Sequence, residues 1–302
     1  MVRSFLKEEN GAVMVLVAIM MTVFMALLAL VIDAGSLYLE KAQLQKIVDA
    51  SALAGAQELP ANPGNSRAEI NKTIQYYNEN PNDFTVTFNE SHTSIEVTGS
   101  KTGTLFFAKS LGFEQPKIKA KSKVALYPLT SVKNAIPLGI QPSADLQFGS
   151  LQSLKVSDSA YGNFGAIALT GPGAKDYETD FKNGYQFDLK VGTILNTQTG
   201  QLSGPTTRAV DYRLSSCPDA TYLDYPKDCS RVVMVPIFEA IQTQQNQVKQ
   251  VKVVGFGSFF LEGVSSTKEG AVVTGRFIGR VTSGETSANQ TDYGTYSIKL
   301  TR

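Results

Sequence analysis

Asn10–Leu59 reads NGAVMVLVAIMMTVFMALLALVIDAGSLYLEKAQLQKIVDASALAGAQEL, and its first half decides the architecture. From Ala12 to Ile32 there are 21 residues without a charge, and Thr22 is the only polar one. As an α-helix such a run spans about 31 Å, close to the thickness of bilayer hydrocarbon. A cleaved signal peptide has a shorter apolar core, about 7–15 residues, followed by a small-x-small site. Here the run is longer and leaves through Leu30-Val31-Ile32-Asp33. A retained transmembrane helix over 12–32 is therefore favoured over a cleaved signal or a buried soluble helix. It makes the lipid bilayer a partner and leaves 1–11 as a short stub.

Charge alone does not orient the span. Arg3 and Lys7 precede it, and Lys41 and Lys46 follow it. The stub is too short to fold, and the two cysteines suit an oxidising compartment. The expected topology is single-pass in the cell membrane, with the N-terminus cytoplasmic and the C-terminal body extracytoplasmic.

The helix should continue beyond the membrane. Asp33–Gln57 is rich in good helix formers, with Leu37, Leu44, Val48 and Ala52 near helical spacing. Its last turns are small: Ala50, Ser51, Ala52, Ala54 and Gly55 form a candidate helix-packing surface, because small side chains admit close backbone approach. Two occupants are open, the chain's own ectodomain and a neighbouring subunit. Pro60, Pro63, Gly64 and Asn65 break the chain, and Ser66 with Glu69 reads as the N-cap of a helix to about Asn80. Phe84–Phe88 and Ser94–Val97 alternate like a hairpin, Thr104–Leu111 reads as a short helix, and Lys117–Leu126 alternates again. The expectation for 33–127 is a helical stalk with a small α+β module.

Pro128–Lys133 marks a boundary, after which 134–302 reads as a β-rich extracytoplasmic domain. Strands are expected at Ala166–Leu169, Tyr185–Ile194, Arg231–Ala240, Val248–Phe260, Val272–Val281 and Tyr293–Leu300. Turns are expected at Gly171-Pro172-Gly173, Thr199-Gly200, Gly204-Pro205 and Ser283-Gly284. The fold class is α+β, closing in an all-β barrel or sandwich-like domain.

The chemistry-bearing residues point away from catalysis. With 28 basic and 27 acidic residues and no clustered basic surface, nothing predicts a nucleic-acid partner. A nucleophile usually needs a base, and the one histidine, His92, lies in the expected hairpin turn. GPGAK at Gly171–Lys175 lacks the GK[ST] ending of a phosphate loop and reads as a turn. Gly255-Phe256-Gly257 within a strand marks a bulge or close packing. Asp176, Glu178 and Asp180 form a solvated loop or, less favoured, a Ca²⁺ site lacking the EF-hand Gly and distal Glu. Cys217 and Cys229, twelve apart, are either two separate thiols or one disulfide closing a turn-rich loop. No catalytic, metal or cofactor-binding residue is assigned, and no cofactor is expected.

Several features recur together: Gly11-Ala12 before the span, Asp33 and Gly35 at its exit, Tyr38, Leu44-Gln45, and the Asp49–Ala56 run. In this pattern Asn10–Leu59 closely resembles the TadE/TadG-like N-terminal segment of bacterial tight-adherence (Flp) pilus-assembly proteins. Asn163-Phe164-Gly165, Asn183-Gly184-Tyr185 and Gly204-Pro205-Thr206 resemble the C-terminal region of TadG-related proteins. The resemblance implies a non-enzymatic, membrane-anchored accessory of pilus assembly or secretion, with pilins and pilus-assembly or secretion membrane proteins as partners. Prepilin-like relatives carry Glu five residues after the processed glycine. Here that place is Leu16, beside Val15, which favours a permanent anchor over a polymerising pilin. No Asp-x-Ser-x-Ser metal motif of the kind found in some larger relatives is visible. The competing classes are a tethered module binding a surface or envelope polymer, and a tethered hydrolase using paired carboxylates.

Overall fold

The structure is a computed structural model and describes residues 9–142, 146–156, 164–198, 202–244, 247–267 and 270–301. Most of the stub, the Thr199-Gly200 turn and Asn163 lie outside the described residues. In chain order the elements are α1 (Glu9–Ala56), α2 (Pro63–Tyr76), β1 (Phe84–Phe88), β2 (Ser94–Thr102), β3 (Lys117–Pro128), β4 (Ser131–Val132), β5 (Leu138–Ile140), β6 (Leu151–Val156) and β7 (Phe164–Ala166). There follow α3 (Ala174–Asn183), β8 (Leu189–Lys190), β9 (Ile194–Asn196), α4 (Ser203–Ser215), β10 (Val232–Gln244), β11 (Gln247–Thr267), β12 (Gly270–Ile278), β13 (Arg280–Val281) and β14 (Thr295–Thr301). The fold is mixed α+β: a long apolar N-terminal helix, a few more helices, and mostly β structure with a barrel-like sheet.

α1 is one uninterrupted helix of 48 residues. Its apolar half stands free of the body, and its second half packs on α2, β2, β3 and β14. The first sheet has the order β1-β2-β3-β14-β13. β3 alternates as its sequence does: Ile118, Ala120, Ser122, Val124 and Leu126 face inward, while Lys117, Lys119, Lys121 and Lys123 face solvent. The inward residues meet Ile95 and Val97 of β2 and Leu44, Ile47, Val48, Ala52 and Ala56 of α1 in one core. β13 and β14 come from the far end of the chain. β14 pairs with β3 from Tyr296↔Pro128 to Thr301↔Lys123, so residues of the 134–302 stretch complete the sheet of the 33–127 stretch.

The second sheet has the order β6-β12-β11-β10-β5-β7, with β9 also paired to β11. Its end strands β6 and β7 lie against each other, which curls the sheet toward a barrel. One face buries Val233, Val235, Phe259, Leu261, Val273 and Phe277 with Tyr177 and Phe181 of α3 and Ala209 and Val210 of α4. A second cluster joins Leu129, Ile167, Met234, Phe238 and Val253. At Gly279 the chain passes from β12 to β13, that is, from the second sheet into the first.

Several local expectations are corrected. α2 begins at Pro63, three residues before Ser66, with Asn62 as N-cap: the Asn62 side chain accepts from Asn65 N–H at 3.1 Å. Proline suits the first helical turn because the N–H it lacks has no intrahelical partner there. The helix ends at Tyr76, short of Asn80. Thr104–Leu111 is a single 3-10 turn, Ala108–Leu111, preceded by non-helical chain. Asp176, Glu178 and Asp180 lie on α3, and Gly204-Pro205 lies in the first turn of α4, so a loop and a turn are replaced by helices within the mostly β region. Tyr185–Ile194 holds only the two-residue β8 and the start of β9. Gly192 breaks it with a φ of +90°, in the region that favours glycine.

Candidate functional site

The site starts in the span. From Val13 to Ile32 the large apolar side chains are exposed, as a lipid-facing helix requires. Thr22 Oγ1 donates to Ala18 O at 3.0 Å and Ile19 O at 2.8 Å, so its hydroxyl is satisfied within the helix.

The first charge after the span is held by a distant segment. Asp33 Oδ1 accepts from the N–H groups of Phe106 (2.7 Å) and Phe107 (3.1 Å), and Oδ2 accepts from Ala108 N–H (2.7 Å). Burial works against the Asp33 charge, but the three backbone donors outweigh it and hold the carboxyl below its usual range. Two turns on, Glu40 accepts from Thr104 N–H at 2.9 Å. Between them a Cβ on Gly103 would lie 2.5 Å from Leu37 Cδ2 and 2.9 Å from Ile118 Cδ1, so the chain can lie this close to α1 only as glycine. Sequence reading noted Asp33 only as part of the family pattern. Its partners lie 73 to 75 residues away, and no local signal points to them.

The small residues of α1 divide by face. Ser51, Ala52 and Gly55 are buried, whereas Ala50 and Ala54 are half-buried. A Cβ on Gly55 would lie 2.6 Å from Ile70 Cδ1 and 3.1 Å from Ser66 Oγ. Ser66 is thus buried on the α1-facing side of α2, and its hydroxyl makes no hydrogen bond. Ser51 Oγ donates back to Ile47 O at 2.8 Å, which removes its polarity from the contact. The surface these residues meet is α2 and the first sheet of the same chain.

Cys217 and Cys229 are joined in a disulfide with Cα atoms 5.6 Å apart. Arg231 ties the closed loop to β11: its Nε donates to Leu261 O (2.9 Å), its Nη1 to Ala220 O (2.8 Å), and its guanidinium lies 4.4 Å from the Phe260 ring centre.

The other singled-out residues have structural partners. Glu178 accepts from Arg208 (Nε, 3.2 Å) and Lys182 (2.7 Å), whose hydrogen bonds depress its carboxyl to about 2. Asp180 is buried and accepts from Thr170 N–H (3.0 Å) and Oγ1 (2.8 Å). Gly171-Pro172-Gly173 is the turn leading into α3. His92 lies in the β1–β2 turn at a φ of +53°. At Gly255 the β10–β11 register shifts, and Tyr293 packs where a side chain would sit.

Span, clamp and small-residue surface form one continuous stretch of α1. Residues 11–58 match the model of the Flp pilus-assembly TadE/G-like family. No curated protein and no solved structure matches the chain. The TadE/G-like segment therefore contains the apolar span, Asp33, Glu40 and the Ala50–Gly55 surface. The match covers the N-terminal helix alone and supports a role related to Flp pilus assembly. Among the described residues one helix, at the N-terminus, is long and apolar enough to cross a membrane, which suggests single-pass anchoring.

Proposed function

We propose that the chain is a non-enzymatic scaffold of Flp/Tad-type pilus assembly or secretion, anchored by α1 with its N-terminus cytoplasmic and its body outside the cytoplasmic membrane. The observation that carries this reading is the TadE/G-like match over 11–58, on a helix that runs unbroken from the span into the core of the first sheet. An anchor continuous with a packed body transmits position from the membrane to the β structure, as a scaffold must. The Cys217–Cys229 disulfide supports the orientation, because such bonds persist in oxidising compartments and are rare in the cytosol. The partners are pilins and the membrane proteins of pilus assembly or secretion.

Two measurements test it. Protease added to intact spheroplasts should digest the chain beyond Asp33; full protection of the body overturns the orientation. Deleting the gene should abolish surface pili, and the full chain should crosslink to pilus-assembly components in the membrane. Normal piliation in the deletion strain, with no crosslinked partner, sinks the scaffold role.

A further inference from the structure

Outside the span, four large apolar side chains stand exposed within one short segment between β2 and β3. Phe106, Phe107, Leu111 and Phe113 are 58%, 47%, 78% and 64% exposed. The segment is not a free tip. Gly103 N–H donates to Pro116 O at 2.8 Å and closes its base, and Phe113 N–H donates to Ala108 O at 3.1 Å and folds its end back. Asp33 clamps its middle through the three N–H groups of 106–108.

That clamp sets the depth. Asp33 is the first residue past the uncharged run, so the backbone of 106–108 lies where α1 leaves the hydrocarbon. The direction of β2 agrees. Gly99 lies against Leu44 and Gly103 against Leu37, so β2 runs back along α1 toward the membrane end and delivers the segment there. On α1 itself Tyr38 and Leu39 are exposed just beyond Asp33. Exposed Lys109, Lys117 and Lys119 flank the aromatic group, and Glu114 is the one acidic side chain between Gly103 and Pro116. Aromatic rings at the edge of the hydrocarbon with lysines reaching outward match the interfacial layer of an anionic bilayer.

We infer that the segment between Gly103 and Pro116 is a second membrane contact of this chain. Phe106, Phe107, Leu111 and Phe113 sit in the interfacial layer, and Lys109 and Lys117 meet anionic headgroups. With two contacts in place of one, the first sheet is held at a set height and rotation on the bilayer and does not swing on a single helix.

The chain contains no tryptophan, so one introduced indole reports alone. Full-length Phe24→Trp, Phe107→Trp, Phe113→Trp and Leu223→Trp variants are reconstituted in phosphatidylcholine–phosphatidylglycerol vesicles without bromine, with bromine on the acyl carbons nearest the ester, or with bromine toward the acyl-chain ends. Phe24→Trp reports the span, and Leu223→Trp an exposed apolar site on the disulfide loop. Ester-proximal bromine should quench Phe107→Trp and Phe113→Trp at least half as strongly as chain-end bromine quenches Phe24→Trp, with blue-shifted emission, and both should leave Leu223→Trp unchanged. Quenching at either loop position supports the contact, since lipid is the only partner present. Quenching at position 24 with both loop positions behaving like 223 overturns it and leaves the anchor standing. Absence of quenching at position 24 overturns the anchor and this contact together.

Discussion

Gly55 and Asp33 each turn on the fit of a few atoms. At Gly55 an added Cβ would meet Ile70, which is fully buried and has little room to withdraw. Gly55→Leu should destabilise the chain by about 1–3 kcal/mol through overpacking. That lowers the unfolding midpoint by several degrees, at about 2–4 °C per kcal/mol. Gly55→Ala should be milder, because a gain of about 1 kcal/mol in helix propensity offsets part of the clash. Thermal unfolding of the full chain in detergent checks both, and an unchanged midpoint for Gly55→Leu would show that α1 and α2 are not closely packed. At Asp33 the two oxygens have separate duties. Asp33→Asn keeps an acceptor for Phe106 and Phe107 but turns an N–H₂ toward Ala108 N–H; Asp33→Ala loses all three acceptor contacts. Amide exchange over 104–111 should quicken in the order wild type, Asp33→Asn, Asp33→Ala, with β10 unaffected. Identical exchange in the three proteins would remove the clamp from the account.

The α3–α4 pair shows how two short helices are held on a sheet. Tyr177 and Phe181 anchor α3, Thr206, Ala209, Val210 and Arg213 form the buried stripe of α4, and Tyr177 Oη lies 3.0 Å from Thr206 Oγ1. On their outer side Glu178 joins Arg208 and Lys182. Its carboxyl is depressed from 4.5 to about 2, so its contribution is complete above about pH 4.5. The contribution then declines as pH falls, and it is gone below about pH 2. The magnitude is modest because Arg208 is largely solvated. Urea unfolding from pH 7 downward should show Glu178→Gln less stable than wild type at neutral pH, with the gap closing in acid. A gap independent of pH would mean that the glutamine disturbs packing and that the ion pair contributes nothing.

Across the whole molecule the two sheets are joined by chain crossing. β12 belongs to the second sheet, while β13 and β14, next in sequence, belong to the first. Ser258 Oγ of β11 lies 3.1 Å from Thr295 Oγ1 of β14, a buried contact at the junction. Truncation after Gly294 should therefore damage the N-terminal sheet, although the deleted residues lie at the opposite end of the chain. It strips the β14 ladder from β3, leaving a bare strand edge above Val124 and Leu126. The expected result is faster amide exchange through β3 and a lower unfolding midpoint, with β10 and β11 retaining protection. Unchanged protection in β3 would show that the first sheet stands without its last strands.

What could be read without coordinates was periodic and local. The uncharged run of α1, the alternation from Ile118 to Leu126 and the Phe84–Val97 hairpin each repeat within a few residues, so their faces are written into the order of side chains. The small residues at Ala50–Gly55 announced a close approach, but not that Ile70 and Ser66 would make it. The short helices α3 and α4 escaped notice because a few buried side chains in a polar segment give too weak a repeat, and their stability comes from the sheet beneath them. The Asp33 clamp on Phe106, Phe107 and Ala108, and the return of β14 to β3, both join residues far apart in sequence. Such contacts form only once α1 and the sheet have packed, because packing alone brings those donors and acceptors within reach of one another.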